Sequence, residues 1–553
     1  MAEQSTRELV VAGQDVANRA TTEVDTEHDD TDQQGKKRMT RTTTDATDTT
    51  DLSARVLHRL YRDSVALMAI ASTTEKRDGI IRAGAVMATP ANLEILADSH
   101  MLPGSLKAAS DDLVFVVRGK NKKVVDAALD AAEAALTAVD STGILAEQRP
   151  GTLPEGLAAA LKADADHPAT LVAVSVPGTY APIVAEQAIR NGLHVLCFSD
   201  NVSVADEVRL KTMAVERRLL LMGPDCGTAI LDGVPLGFAN VIRPGGIGIV
   251  AASGTGAQEV SRLLDSAGDG VSQLIGVGGR DLSADVGGLM TNLALDYLVE
   301  DLATSVIVVI SKPPATAVAE ALLERLSAIA IAGKPTVACF LGMDDRDPDA
   351  VTPGTYVRGT LEGGAVIAAR LGGHPLTVIE PEAPVRHIID GRILGLYTGG
   401  TLASEAKIIL KRSGVTAEIL DLGDDQYTAG KPHPMIDPAA RADRIAEAGA
   451  DPTVGIILVD VVLGFGATPD PATPVAAAVE IARAAVAAAD RELVVIGSVC
   501  GTEGDPQGLE RQREILRASG VILCPTNASA ARLALAYVGS THSSSANASR
   551  ESK

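Results

Sequence analysis

Two stretches of the chain are copies of one unit, and this duplication constrains the fold more than any other feature. IGIVAASGTGAQEV (247–260) resembles LGLYTGGTLASEA (394–406), and three further segments repeat in the same order at offsets of about 145 to 160 residues. Each copy alternates apolar strands with helices, a pattern typical of a parallel sheet covered on both faces. The sequence therefore predicts two α/β domains, at 245–375 and 388–540.

Other folded regions precede this pair. Residues 165–240 alternate apolar strands with helices and predict a Rossmann-like α/β domain. Residues 53–140 predict a small α+β domain with strands at 56–62, 80–89 and 112–119, and 141–165 predict a linker.

The two ends of the chain differ in composition from these regions. Between Thr21 and Asp51 there are eleven Thr and nine Asp or Glu, too few apolar groups to offset the entropy of ordering. We expect 1–52 to be a disordered tail and 541–553, which is rich in Ser, to be loose.

Composition narrows the classes of function. The net charge of −22 disfavours phosphate contacts along nucleic acid, and aromatic residues at 2% leave few rings on which bases could stack. The five cysteines are widely spaced without a C-x-x-C, so neither a disulfide framework nor a metal site is predicted. With no apolar run of membrane-spanning length and no secretory signal, the sequence indicates a cytoplasmic protein without membrane contact.

A Gly-rich turn joins a strand to a helix at equivalent points of both copies. The free N–H groups at a helix N-terminus favour an anion, and hydroxyl groups can donate to its oxygens. If the copies pack pseudo-symmetrically, both turns converge on one phosphate or carboxylate; the alternative is that these residues only cap their helices. The predicted phosphate-binding residues are Ser253, Gly254, Thr255, Gly256, Thr398, Gly399, Gly400 and Thr401.

Charged residues follow other strands of the two copies and should share the same sheet edge. Arg280 can pair with a substrate carboxylate, or with a neighbouring acid in a structural turn. A Pro-rich loop carries a potential anion ligand and a potential acid or base, unless it is a rigid surface turn. The candidates for substrate binding are Asp281, Lys312, Asp424 and Asp425, and those for catalysis are Arg280, Lys431 and His433.

Longer motifs carry a family resemblance. Residues 165–375 resemble the α subunit of succinyl-CoA synthetase, and 388–540 resemble the carboxy-terminal ligase domain of its β subunit, without an ATP-grasp domain. SDNVSVADEVRLK, MGPDCGT, GGRDLSADVGG, LYTGGTLASEA and DLGDDQYTAGKPHPMIDP are similar to the FdrA proteins, over roughly 55–540. The resemblance implies a CoA-binding-type Rossmann domain followed by two flavodoxin-like ligase domains. It makes CoA a candidate cofactor, with Ser199, Asp200, Asn201, Gly223 and Pro224 as its expected contacts.

The chain departs from the synthetase pattern at the phosphoryl carrier. The family's phosphohistidine loop corresponds to 356–365, which contains no His, and Ser311-Lys312-Pro313-Pro314 stands where an acidic residue is expected. The FdrA resemblance instead implies a subunit of a carbamoyltransferase in ureide and allantoin breakdown. That enzyme would move carbamoyl between phosphate and oxamate and work with other protein subunits.

In this interpretation the two turns bind the phosphate of a small phosphorylated substrate. Arg280 or Lys312 binds the oxamate carboxylate, and His433 transfers or orients a proton. Two alternatives remain open: an acyl-CoA synthetase that needs a nucleotide-binding partner, and a non-catalytic scaffold that binds CoA or an acyl phosphate.

Overall fold

The computed structural model describes residues 50–538, apart from 59, 61–63, 89, 105, 110–111, 139–152, 164–167, 382–388 and 429–432. Residues 1–49 of the tail predicted for 1–52, most of the predicted linker and the C-terminal 539–553 lie outside the described residues. The prediction was wrong for Asp51 and Leu52, which pair with Gly119 and Arg118 in a strand. Within the described residues, no helix combines the length and the apolar character needed to cross a bilayer.

The N-terminal unit is a three-stranded antiparallel sheet of order β1-β3-β2 with helices on both faces. One face packs Phe115 and Val117 against α1 and α3, and the other packs Val114 and Val116 against α2. Its first strand lies at 51–57, so the strand predicted at 56–62 was placed five residues too late in the chain. The elements are β1 (Asp51–Leu57), α1 (Ser64–Glu75), β2 (Ile80–Met87), α2 (Pro90–Asp98), β3 (Leu113–Gly119) and α3 (Lys122–Ala138).

The next unit is a parallel sheet of order β4-β5-β6. Its first helix, α4, lies at 153–163, where the sequence predicted only a linker; this Leu- and Ala-rich segment packs Leu157 and Leu161 onto the core of the unit. The elements are α4 (Leu153–Ala163), β4 (Leu171–Val174), α5 (Ala181–Arg190), β5 (His194–Cys197), α6 (Val204–Glu216) and β6 (Leu221–Met222).

The first copy of the duplicated unit, β9 to α10, holds a seven-stranded sheet of order β13-β12-β11-β9-β10-β7-β8. The hairpin β7–β8 pairs antiparallel with β10, so 228–237 joins this sheet although the sequence predicted it within the Rossmann-like domain. The elements are β7 (Thr228–Leu231), β8 (Val234–Gly237), β9 (Pro244–Ala252), α7 (Gly254–Ser266), β10 (Val271–Gly276), α8 (Leu289–Glu300), β11 (Val306–Ser311), α9 (Thr316–Ile331), β12 (Thr336–Phe340), β13 (Thr355–Arg358) and α10 (Leu361–Leu371).

The second copy, β14 to α16, holds a parallel sheet of order β15-β14-β16-β17-β18. Taken in chain order, both copies have the strand order 2-1-3-4-5 of flavodoxin-like folds, so the topology bears out the repeat seen in the sequence. The elements are β14 (Arg392–Tyr397), α11 (Gly400–Arg412), β15 (Ala417–Asp421), α12 (Asp425–Thr428), α13 (Ala439–Ala450), β16 (Val454–Val462), α14 (Ala472–Ala488), β17 (Val494–Cys500), α15 (Leu509–Ala518), β18 (Ile522–Cys524) and α16 (Asn527–Val538).

One apolar core joins the two copies. It contains Leu264 of α7, Ala365 of α10, Leu402 of α11 and Ala534 of α16, all nearly or completely buried. The alanines among these residues let helices approach closely, which suits a chain with so few aromatic rings. Because α7 and α11 pack against each other in this layer, the two Gly-rich turns are brought together.

Candidate functional site

The N-termini of α7 and α11 meet in direct contact. Ser253 Oγ lies 2.6 Å from Thr401 Oγ1, and the backbone N–H of Thr401 donates to Thr255 Oγ1 at 3.4 Å. Ser253 is the N-cap of α7, and its Oγ accepts from the N–H of Gly256 at 3.0 Å. The expected convergence of the two turns is present, and Ser253 also caps its helix, as the alternative interpretation held.

The turn before α11 already contains a carboxylate. Asp460 of β16 is fully buried, and its two oxygens accept from the N–H groups of Thr398 and Gly399, each at 2.7 Å. Arg441 Nη1 donates to Asp460 Oδ1 at 2.9 Å, and Arg441 is itself buried. Neither residue was among the predicted site residues. The sequence signal for Asp460 was that it is the single Asp inside the apolar strand VGIILVDVV.

The strand registers show that the two turns differ in charge. In the first copy, Ala251 stands two residues before the N-cap of α7 and is paired with Gly276 and Ile310. The equivalent residue in the second copy is Tyr397, which is paired with Asp421 on one side. On the other side, Leu396 is paired with Val459, so the next residue of that strand, Asp460, lies beside Tyr397. The second copy therefore has two carboxylates where the first has none.

Lys312 and Asp421 meet at Gly400, the first residue of α11. A Cβ added to Gly400 would lie 2.2 Å from Asp421 Oδ2 and 3.4 Å from Lys312 Nζ, so a larger residue here would displace the Asp421 carboxyl group. Lys312 is exposed and follows β11, whereas Asp421 ends β15 and is partly buried. Burial raises the pKa of Asp421 to about 6, although the Lys312 ammonium and the N–H of Gly423 oppose that shift. Lys312 thus lies where it was predicted, and Asp421 was missed.

His433 lies beside the same turn. A Cβ on Gly423 would be 2.3 Å from His433 Nε2, and the N–H of Met435 donates to His433 Nδ1 at 3.1 Å. Nδ1 is therefore the acceptor, and the ring carries its proton on Nε2. Burial, together with the Arg441 charge, lowers the pKa of His433 to about 4. These surroundings favour the neutral ring and do not support the expected acid or base that titrates near neutrality.

The neighbouring candidates contribute less. Asp424 is exposed, and its Oδ1 accepts from the N–H of Gln426 at 3.1 Å, in the turn that starts α12. Asp425 is the first residue of α12. Lys431 lies outside the described residues.

Arg280 and Asp281 form structural contacts rather than a substrate site. Arg280 Nη2 lies 2.8 Å from Glu207 Oε2 and donates to the carbonyl of Val202 at 2.8 Å. Asp281 is fully buried and accepts from Lys211 Nζ at 2.7 Å, and it also accepts from the N–H and hydroxyl of Thr291. A substrate cannot reach Asp281, so that prediction was wrong, whereas Arg280 pairs with a carboxylate of the chain itself, as the alternative of a structural turn held.

The expected CoA contacts lie on turns at the carboxyl edge of the β4-β5-β6 sheet. Ser199 is buried, and its Oγ accepts from the N–H of Val176 at 3.0 Å. Gly223 and Pro224 are also buried, whereas Asp200 and Asn201 are exposed. Three of the five residues are therefore packed inside the protein, and only Asp200 and Asn201 are accessible to a ligand.

Comparisons with known proteins place the chain among relatives of CoA ligases. A family described as CoA-ligase matches residues 396–537, and one described as AllF, heavy metal-associated domain, matches 50–150. A succinate–CoA ligase subunit alpha-2 of Trichomonas vaginalis is 34% identical over 118 residues, 21% of this chain and 38% of that subunit. The sulfoacetate–CoA ligase subunit SauD of Bilophila wadsworthia is 27% identical over 221 residues, 38% of this chain and 73% of SauD. The protein is thus a member of the CoA-ligase superfamily.

The particular family follows from a full-length relative. The chain is 39% identical over 509 residues to the uncharacterized protein YahF of Escherichia coli K12, a match that spans 86% of this chain and 97% of YahF. The chain belongs to the FdrA-like family of the CoA-ligase superfamily, as the motifs predicted. A solved acetyl-coenzyme A synthetase of Ca. Korarchaeum cryptofilum aligns with 68% of the chain at 15% identity and a TM-score of 0.30, which adds nothing to this assignment.

The N-terminal unit does not fit the metal that its family description implies. Residues 50–150 contain no Cys, and their two His are far apart in sequence, at 58 and 100. His58 Nδ1 lies 3.1 Å from Asp112 Oδ2, and among the described residues no three His, Cys, Asp or Glu side chains are grouped to hold a metal ion. Heavy-metal sites of this kind use thiolate ligands, so we derive no step through a metal.

Proposed function

We propose that the chain is a subunit of a carbamoyltransferase that moves carbamoyl between phosphate and oxamate in the breakdown of ureides. One observation carries the proposal: α7 begins among the hydroxyls of Ser253, Thr255 and Thr401, with uncharged Gly276 and Ile310 where the second copy has carboxylates. Such an end favours a doubly charged anion, whereas at α11 the Asp460 carboxylate already accepts from the N–H groups of the turn.

In this proposal the phosphate binds at the α7 turn. The first N–H groups of a helix have no partner inside the helix, so those of Gly254 and Thr255 are available to phosphate oxygens. Lys312 follows β11, the strand next to β9, and its ammonium group supplies a positive charge at the carboxyl edge of the same sheet. Carbamoyl transfer needs stabilisation of the departing or attacking phosphate, which these groups supply without a covalent intermediate.

The proposal does not use a phosphoryl carrier. The segment 356–365 is part of β13, a turn and the start of α10, where Thr360 caps the helix by accepting from the N–H of Gly363. No His stands in this segment. Phosphate therefore enters the reaction as a free substrate or product, and other protein subunits complete the acceptor side.

Calorimetric titration of the purified chain with carbamoyl phosphate tests the proposal. We expect binding that Lys312→Met weakens at least about ten-fold, since one close charge pair is lost. Lys334→Met is a matched control, because Lys334 donates to the carbonyls of Leu298 and Asp301. Equal binding by wild type and Lys312→Met would contradict the phosphate site.

The acyl-CoA synthetase interpretation is the second candidate, because the succinate– and sulfoacetate–CoA ligase subunits are relatives of this chain. It predicts CoA binding and a phosphorylated residue after incubation with ATP and a nucleotide-binding partner. Mass spectrometry of the intact chain detects such a residue. Binding of CoA in a titration, without binding of carbamoyl phosphate, would favour this candidate.

A further inference from the structure

Asp421 is a carboxylate that the function above does not use. Its Oδ2 lies against Gly400 at the start of α11, on the same glycine that Lys312 Nζ approaches. Its Oδ1 accepts from the N–H of Gly423 at 3.1 Å, which fixes the carboxyl group at the end of β15. An acidic group is therefore held at the start of α11, where the next residue, Thr401, contacts Ser253 and Thr255 of the α7 turn.

We propose that Asp421 is the proton-transferring catalytic residue of this site, an inference that rests on the proposed carbamoyl transfer. When phosphate attacks the carbamoyl carbon of an N-carbamoyl amide, a C–O bond forms and the C–N bond breaks. The electron pair goes to the leaving nitrogen, which takes a proton from Asp421. The proton of the attacking hydrogenphosphate then returns to Asp421, and the reverse reaction uses the carboxylate as the base.

The surroundings of Asp421 suit this role. The groups that face it are Lys312 from the end of β11, Asp460 from β16 and Asp424 from its own turn. Burial raises the pKa of Asp421 to about 6, so both of its protonation states are accessible near neutral pH. His433, on the far side of Gly423, has a pKa of about 4 and stays neutral over the same range.

A bound dianion makes the role measurable in the chain alone. Two negative charges near Asp421 favour its protonated form, so anion binding takes up a proton. Below the pKa of Asp421 the anion meets a neutral carboxyl group, and above it a carboxylate. Affinity for the anion therefore falls as pH rises through the pKa of Asp421. Sulfate is the probe, because it does not titrate in this range as phosphate does.

The experiment measures sulfate affinity by calorimetry from about pH 5 to pH 8 for wild type and Asp421→Asn. We expect wild-type affinity to fall at least about ten-fold over this range and that of Asp421→Asn to stay nearly constant. Glu418→Gln is the matched control, because Glu418 lies on the same strand but pairs with Arg392 at its other end. It should keep the wild-type pH dependence.

The outcomes separate the two proposals. The same pH dependence in wild type and Asp421→Asn overturns the role of Asp421 while leaving the anion site intact. Absence of sulfate binding in every variant overturns the anion site, and with it the proposed function and this inference. In the assembled enzyme, Asp421→Asn should lower the transfer rate by about 10²- to 10⁴-fold and remove the pH limb that this group produces.

Discussion

The two copies of the duplicated unit hold the same helix end in opposite electrostatic surroundings. At α7 the N-cap is Ser253, and the flanking strand residues are uncharged. At α11 the N-cap is Gly399, which provides no side-chain cap, and the carboxylate of Asp460 accepts the preceding N–H groups instead. The comparison shows that an internal carboxylate accepts from the N–H groups before α11 but that no carboxylate takes the equivalent place at α7, which is the basis of the proposed anion site.

Removing the internal carboxylate should have the largest effect. Asp460→Ala leaves Arg441 buried without its partner and two N–H groups without an acceptor, so we expect the second copy to lose about 3–5 kcal/mol of unfolding free energy. Amide hydrogen exchange in β16 measures this loss. Ile310→Val, at the equivalent position of the first copy, should cost only about 1 kcal/mol. A loss below about 1 kcal/mol for Asp460→Ala would contradict the capping role.

Two equivalent glutamates sharpen the comparison by their pH dependence. Glu259 and Glu405 are each the sixth residue of their helix, but Glu259 pairs with Arg262, whereas Glu405 contacts only the N–H of Leu361 and the amide of Asn527 among the described residues. Burial raises the pKa of Glu405 from 4.5 to about 7. Between these values the folded chain binds a proton that the unfolded chain lacks, so stability falls as pH rises through this window.

Glu405→Gln removes that titration. The difference in unfolding free energy between Glu405→Gln and wild type should grow in favour of the variant by up to about 3 kcal/mol as pH rises from 4.5 to 8. Hydrogen exchange in α11 measures it. Glu259→Gln is the matched variant in the first copy, and it should destabilise at both pH values because Arg262 is left unpaired. A pH-independent difference between Glu405→Gln and wild type would show that Glu405 does not titrate in this window.

The glycines that start the two helices should differ in tolerance. At Gly400 an added Cβ would lie 2.2 Å from Asp421 Oδ2, whereas at the equivalent Gly254 the nearest atom, Thr228 Oγ1, is 3.3 Å away. We expect Gly400→Ala to lower stability by about 1–3 kcal/mol and Gly254→Ala by less than about 1 kcal/mol. Thermal unfolding of both variants checks this difference. Equal losses would mean that the Asp421 carboxyl group moves aside freely.

The smallest expected effect concerns the cap. Ser253→Ala removes the acceptor of the Gly256 N–H and the partner of Thr401 Oγ1, so α7 should lose about 1 kcal/mol. Ser253→Gly, which copies the second turn, should cost only a few tenths of a kcal/mol. Hydrogen exchange in the first turns of α7 measures both. A larger loss of stability for Ser253→Gly than for Ser253→Ala would show that backbone entropy, rather than the cap, dominates at this position.

The repeat and the site turns could be predicted, because both are written in local sequence. Strand–turn–helix periodicity at matching spacing gives the same strand order twice. Ser253 and Lys312 follow neighbouring strands of the first sheet, and Thr401 lies at the equivalent turn of the second. Boundaries were less predictable: β1 lies several residues earlier than expected, and the hairpin at 228–237 pairs with a strand of the following unit. Pairing with a distant strand leaves no local signal.

The sequence by itself therefore determined the family, the duplicated α/β architecture and the residues at the helix N-termini, since these depend on local patterns. Tertiary structure alone decided which charged side chains are paired with other groups of the chain and are therefore not available to a substrate. Arg280 and Asp281 are paired with residues of α6, and Asp460 satisfies a turn more than sixty positions away in the chain. It also decided that burial lowers the pKa of His433 and raises that of Asp421, because a pKa depends on burial and on charges brought together from distant strands.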